Sequence, residues 1–243
     1  MAAMRIVTVA DDGTLARVAA DLICAVVGAK PDAVLGLPTG ATPVATYREL
    51  ERRSAAGKTD VSRAMVYAID EFAGVSPATP GTNHMFYRAH LRLPVRALHV
   101  PDAVAPEPEA HIADFAEAVR QAGGFDLCVL GIGTNGHIAF NEPGSARDSR
   151  ARVVDLAETS RQAHAAAFGG IERVPRQGMT LGVADLLEAR AIAVLATGAG
   201  KAEIVRRAID GPMTAAVPAS WLQAHGDCTW LLDAAAARTL RPR

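Results

Sequence analysis

Short aliphatic runs alternate with longer stretches of helical periodicity along nearly the whole chain, and this alternation restricts the fold more than any other feature. Residues 5–9, 33–37, 64–69, 127–130, 191–196 and 228–232 are apolar runs of strand length, and residues 179–183 are a further short candidate. Between them, residues 13–27, 43–53, 82–91, 107–121, 201–210 and 219–224 carry helical spacing. That order predicts an α/β fold with a mostly parallel sheet and helices on both of its faces. Polar or glycine-rich loops directly follow four of the strands: Pro38-Thr39-Gly40-Ala41-Thr42-Pro43, Asp70-Glu71-Phe72, Gly133-Thr134-Asn135-Gly136-His137 and Gly198-Ala199-Gly200-Lys201. In an open parallel sheet, ligands bind in the crevice beyond the carboxyl ends of the strands, so the four loops are expected to meet there.

Composition narrows the function classes. At 243 residues, without a linker, low-complexity run or internal repeat, the chain is expected to form one domain over residues 1–243. The formal net charge is −1 and no basic block occurs, which argues against nucleic acid as a partner but leaves room for a basic pocket for one phosphate. Cys24, Cys128 and Cys228 are far apart and form no Cys-x-x-Cys pair. Neither a disulfide framework nor a zinc site is therefore expected, and a reducing compartment is favoured. The N-terminus, Met1-Ala2-Ala3-Met4, runs into the first strand candidate without a signal-peptide profile, and no apolar run is long enough to cross a membrane. A cytoplasmic protein with no membrane partner is the expectation.

The stretch from Gly131 to Gly144 carries the most chemistry. Its glycines let the backbone approach a ligand, while Asn135, His137 and Glu142 supply an amide, an imidazole and a carboxylate. A loop built only to turn the chain needs one or two of these features, so this one is read as an active site. His137 alone would as readily be a structural histidine; its place between Asn135 and Glu142 favours catalysis. Thr42 is expected to cap the following helix, with Pro43 at its first position. Free N–H groups there, with the Thr39 and Thr42 hydroxyls, suit either a phosphate cradle or an ordinary capped turn. Lys201, at another helix start, opposes the helix dipole unless it neutralises an anion held there. Asp70 and Glu71 end a strand, where extended geometry lets only one face the crevice. That one would be a general base, or else the two form a helix cap or surface pair. The other histidines, His84, His90, His99, His111, His164 and His225, have no ligand-like spacing.

Taken in order, several segments resemble the glucosamine-6-phosphate deaminase (isomerase) family, within the wider group that includes 6-phosphogluconolactonases. They are Gly36-Leu37-Pro38-Thr39-Gly40, Asp70-Glu71-Phe72, the run from Gly133 to Gly144, Val174-Pro175, Met179-Thr180-Leu181-Gly182-Val183 and Gly198-Ala199-Gly200-Lys201-Ala202. The resemblance covers nearly the whole chain, and His137-Ile138-Ala139-Phe140-Asn141-Glu142-Pro143 is specific to the deaminase branch. It implies a modified Rossmann-like fold and conversion of glucosamine 6-phosphate and water to fructose 6-phosphate and ammonia, without a metal or organic cofactor. It implies that His137 opens the sugar ring, with Asn135 and Glu142 in its relay. Asp70 would carry a proton from C2 to C1, with Glu71 as its carboxylate partner, and Thr39, Gly40, Ala41, Thr42 and Lys201 would hold the phosphate. The implied partner is a small sugar phosphate; members range from monomers to hexamers, which leaves a homo-oligomer open.

Three departures from the family pattern matter. Asn135 stands where many members have Asp, and an amide orients but cannot shuttle a proton. Ala165 falls at the position of a phosphate-binding arginine, a loss worth about 1.5–3 kcal/mol. Arg161 lies one helical turn earlier and is expected to reach the same face if that segment is a helix. Allosteric members carry a cationic patch after the active-site loop; here Arg152 matches part of it but Val154 replaces a lysine, and the chain stops soon after Leu240. No activation by N-acetylglucosamine 6-phosphate is therefore expected. Two other functions stay open: an isomerase or lactonase acting on another sugar phosphate, favoured by Ala165, and a non-catalytic sugar-phosphate sensor, disfavoured by the retention of Asp70.

Overall fold

The computed structural model describes residues 4–241, and Met1 to Ala3, read above as leading into the first strand, lie outside them. In chain order the elements begin β1 (Arg5–Val9), α1 (Asp12–Ala29), β2 (Val34–Leu37), α2 (Ala41–Ala55), β3 (Met65–Ala68), β4 (Asp70–Phe72) and α3 (Asn83–His90). They continue β5 (Ala97–His99), α4 (Pro108–Gln121), β6 (Leu127–Gly131), β7 (Arg152–Asp155), α5 (Glu158–Phe168) and β8 (Gln177–Thr180). The last are α6 (Val183–Leu187), β9 (Ile192–Ala196), α7 (Ala202–Asp210), β10 (Cys228–Asp233) and α8 (Ala234–Ala237). Seven strands form a parallel sheet in the order β1-β10-β9-β6-β2-β3-β5. A separate small antiparallel sheet runs β4-β8-β7.

The unbroken apolar runs follow from burial on both faces of the large sheet. Successive side chains of a strand alternate between faces. Leu127 and Val129 of β6, with Leu35, Leu37, Val66 and Leu195, pack against Leu15 and Ile23 of α1, Tyr47 and Leu50 of α2, and Tyr87 of α3. Cys128 and Leu130 of the same strand, with Val194, Trp230 and Leu232, pack on Val119 of α4, Leu186 of α6, and Ile204 and Ile209 of α7. Local signals start the helices: the Asp11 carboxylate accepts the N–H of Thr14 at 2.7 Å before α1. The Thr82 hydroxyl accepts that of Met85 before α3.

The expected α/β architecture is borne out, with differences in detail. The strand predicted over 64–69 ends at Ala68, and Asp70–Phe72 crosses into the small sheet to pair with β8. The candidate at 179–183 is displaced to Gln177–Thr180, because Val183 already begins α6. Helix α2 begins at Ala41, so Thr42 and Pro43 lie inside its first turn and Thr42 is not the cap. Gly40 takes the cap position at φ 105°, a conformation glycine adopts without steric cost, and the missing N–H of Pro43 is harmless in a first turn. Lys201 ends a short 3-10 turn, Ala199–Lys201, that leads into α7. The segment predicted as a helix at 219–224 is a 3-10 helix, Pro218–Ala224.

Candidate active site

The loops after β2, β3, β6 and β9 line one cavity of about 760 Å3 at the carboxyl ends of the parallel strands. One corner is formed by Thr39, Gly40, Ala41 and Thr42 at the start of α2, together with Lys201. Its backbone is tied down from outside: the Tyr47 hydroxyl donates to the Pro38 carbonyl and the Tyr87 hydroxyl to that of Leu37, both at 2.5 Å. The Lys201 ammonium donates to the Ile132 carbonyl at 2.7 Å, and its partial burial pulls its pKa down. A half-desolvated cation beside the free N–H groups of a helix start suits an anion.

Asp70 forms a second wall and is 7% exposed. Burial, then the charge of neighbouring Glu71, pushes its carboxyl up to about 7, against the opposing hydrogen bond from Asn83. That bond runs from Asn83 Nδ2 to Asp70 Oδ1 at 2.7 Å. Glu71 points the other way. Its fully buried carboxylate accepts the N–H groups of Phe72, Asn83 and His84 at 2.7, 3.0 and 2.9 Å and meets His84 Nδ1 at 2.8 Å. Glu71 does not line the cavity, which corrects its grouping with the substrate-binding residues: its oxygens are consumed by the start of α3.

His137 lines the third wall. A Cβ on Gly133 would come within 2.3 Å of its ring, so the imidazole sits where only glycine leaves room. Behind it, Ser160 Oγ lies 3.1 Å and Glu142 Oε2 3.5 Å from Nδ1. Asn135 Nδ2 donates to Glu142 Oε2 at 2.8 Å and to Thr159 Oγ1 at 3.1 Å, while its Oδ1 accepts the His137 N–H. The Ala157 N–H, just before α5, reaches Glu142 Oε1 at 3.2 Å. Burial opposes the charge on Glu142, but the hydrogen bond and charge of His137, with Ser160 and Asn135, outweigh it and hold the carboxyl at about 2. Asn135 and Glu142 are thus not on the cavity surface; they form a fixed anionic support behind the imidazole.

Arg161 is not at the cavity. Its guanidinium donates to the Ile171 and Val174 carbonyls at 2.9 and 3.3 Å, which corrects its assignment to the phosphate. Ala165 also faces elsewhere, packing on the cluster of Phe72, Phe140, Leu156, Phe168 and Val174. The α5 residues turned to the cavity are Thr159, Ala163, His164 and Ala167. His164 stands edge-on to Phe72, and burial, then the nearby His137, lowers its pKa. Arg152 is engaged with Asn141 Oδ1, the Arg150 carbonyl and Ser145 Oγ. Among the described residues no three His, Cys, Asp or Glu side chains gather as a metal site.

Sequence reasoning missed Asn83, Ser160 and His164. A signal existed for Asn83, since α3 buries only Asn83 and Tyr87, four positions apart on one face. A polar residue on the inner face of a predicted helix needs a partner. Ser160 and His164 lie in a segment of weak helical pattern, and neither carried a comparable mark.

Known proteins resemble the chain over nearly its full length. The profile of the family described as glucosamine-6-phosphate isomerases/6-phosphogluconolactonase matches residues 11–230. A glucosamine-6-phosphate deaminase of Rhodopirellula baltica is 43% identical over 218 residues, covering 88% of this chain and 87% of its own. Glucosamine-6-phosphate deaminase 2 of Bacillus subtilis is 41% identical over 233 residues, covering 93% of this chain and 94% of its own. The solved structure of a monomeric glucosamine-6-phosphate deaminase superposes with a TM-score of 0.94 at 36% identity, covering 98% of this chain and all of the other (100%). The chain belongs to the glucosamine-6-phosphate deaminase family, within the group that joins glucosamine-6-phosphate isomerases and 6-phosphogluconolactonases.

Proposed function

We propose that this protein is a glucosamine-6-phosphate deaminase, converting glucosamine 6-phosphate and water to fructose 6-phosphate and ammonia. The observation that carries this is a single cavity lined by Asp70, His137, Lys201 and the start of α2. The phosphate docks on the N–H groups of Gly40, Ala41 and Thr42, the Thr39 hydroxyl and Lys201, which fixes the sugar relative to the walls. The Glu142 carboxylate and Ser160 hydroxyl engage His137 Nδ1, so Nε2 is the nitrogen left to exchange a proton at the ring oxygen and O1 as the pyranose opens. Asp70, ionised, then takes the proton from C2 of the open aldehyde. The electron pair forms the C1–C2 double bond while O1 takes a proton from His137, giving the enolamine, and the proton on Asp70 returns to C1 to give the ketimine. Water adds at C2, ammonia leaves, and the ketone remains.

A base with a pKa of about 7 is strong enough to take the C2 proton and weak enough to give it back, which one-residue proton transfer requires. Asn135 does not carry protons here; it holds Glu142. The free thiols of Cys24, Cys128 and Cys228 suit a reducing compartment, in keeping with a cytoplasmic enzyme.

The test is incubation of purified protein with glucosamine 6-phosphate, following both products. Fructose 6-phosphate and ammonia should appear in equal amounts, and both should vanish in His137→Ala and Asp70→Asn. Tight binding of the sugar phosphate without turnover would instead support the sensor, and turnover of 6-phosphogluconolactone alone would support the lactonase.

A further inference from the structure

We propose that Asn83 is a positioning residue of this site, holding the Asp70 carboxylate in place and tying it to the loop at the start of α2; the proposal rests on the deaminase function above. Asn83 is 2% exposed, and both polar atoms of its side chain and its backbone N–H are engaged. Its Nδ2 donates to Asp70 Oδ1 at 2.7 Å and to the Asp70 carbonyl at 2.8 Å. Its Oδ1 accepts from Thr39 Oγ1 at 2.9 Å, and its backbone N–H donates to Glu71 Oε1 at 3.0 Å. The neighbours dictate how the amide lies. Two acceptor oxygens on one side require the NH2 group there, and a hydroxyl on the other can donate to the carbonyl end.

The surrounding fold makes this arrangement rigid. The inner face of α3 consists of Asn83 and Tyr87, and the Tyr87 hydroxyl is fixed on the Leu37 carbonyl at the end of β2. The start of α3 is fixed by Glu71, which accepts the N–H groups of Asn83 and His84. Asp70 and Glu71 point to opposite sides of β4, and the two carboxylates have complementary duties. Glu71 fixes the helix start that carries Asn83, and Asn83 turns back to fix Asp70. The other two influences on Asp70, its burial and the Glu71 carboxylate, both disfavour its charge. Asn83 is therefore the donor that the described residues give to the ionised base. Thr39 has one hydroxyl proton, so an anion that takes it alters the bond to Asn83, and the anion corner and the base are coupled through this one amide.

The experiment compares wild type with Asn83→Ala and Asn83→Ser in kcat and KM for glucosamine 6-phosphate between about pH 5 and 9. The Asp70 carboxyl is titrated in parallel, without substrate, by carbon-13 NMR of aspartate-labelled protein. The wild-type acid limb of kcat/KM is expected near the Asp70 value of about 7. Both variants should lose about tenfold or more at neutral pH, with the limb and the NMR titration both raised by about one pH unit and much of the rate recovered at pH 9. A uniform loss at every pH, with the limb and the NMR titration unmoved, would mean that Asn83 serves the fold alone and would overturn the proposal. Should Asn83→Ala not fold, the near-isosteric Asn83→Asp replaces it; its added carboxylate must raise the limb further. If wild type releases no ammonia, the deaminase function fails, and the NMR titration alone still decides the role of Asn83.

Discussion

Gly133 and His137 fit each other by volume. The backbone of Gly133 is one that any residue can adopt, so a side chain there would first meet the imidazole, 2.3 Å away. Gly133→Ala is therefore a steric test of whether the ring must sit where it does. The ring is the softer partner and would swing away from Ser160 and Glu142, since overpacking costs about 1–3 kcal/mol and a rotamer change relieves it. We expect kcat/KM to fall about a hundredfold, comparable to a misplacement of one catalytic group by an ångström, while melting shifts by only a few degrees. Activity within threefold of wild type would show that the seat of His137 does not matter. The same reasoning explains Asn135. An amide in place of a carboxylate leaves one charge, not two, behind the imidazole, and that charge, on Glu142, is held at about 2.

Helix α3 depends on a carboxylate supplied by β4. Glu71→Ala would leave the N–H groups of Asn83 and His84 at the helix start, and that of Phe72 in β4, without an acceptor. Three lost bonds to a charged group amount to about 4.5–9 kcal/mol, a fall in Tm on the order of 10–20 °C. Glu71→Gln, which keeps one acceptor oxygen, should lose less; equal melting of wild type and Glu71→Ala would refute the capping role. Strand β7 is likewise committed inward: Arg152 is spent on Asn141 and Ser145, and Val154 packs on the aromatic cluster. Rate curves should thus be hyperbolic and unmoved by N-acetylglucosamine 6-phosphate, and a sigmoidal curve straightened by that ligand would contradict this. Legibility in the sequence followed burial. Apart from β1, which was legible from its aliphatic residues although none is fully buried, β2, β3, β6, β9 and β10 announced themselves because both faces are covered, whereas β5 and β7, with no fully buried residue, gave no apolar run. Helix α5 buries only Ser160 and Phe168, so its periodicity was faint, and the sequence did not show that Arg161 turns to the Ile171 and Val174 carbonyls. Loops after strands could be read as a site because glycine and polar residues are costly there without a ligand; Asn83 and Ser160 act from neighbouring helices, where the inner face of α3 marks Asn83 as needing a partner without naming it and the faint pattern of α5 gives no mark for Ser160.

Across the whole molecule, the site draws on the stability of the fold through two carboxyls shifted in opposite directions. Glu142, depressed to about 2, adds stability that is present above its ordinary value of 4.5 and is lost as pH falls toward 2. Asp70, raised from 3.8 to about 7, acts the other way. Below pH 4 it is protonated in both the folded and unfolded chain and contributes nothing. Between about pH 4 and 7 the unfolded chain releases a proton that the folded chain keeps, so stability declines as pH rises, levelling off above 7. A shift of that size corresponds to about 4 kcal/mol at full extent, an upper figure for a group that opens onto a cavity. Asp70→Asn removes the buried charge while keeping the Oδ1 acceptor for Asn83. The variant should therefore melt several degrees above wild type at pH 8, with the gap shrinking to about a quarter by pH 4.5, and should turn over no substrate. Calorimetric scans of both proteins across that range decide it. A gain of equal size at pH 4.5 would assign it to packing, and no gain at pH 8 would mean that burial does not strain the Asp70 carboxylate as the proposed base requires.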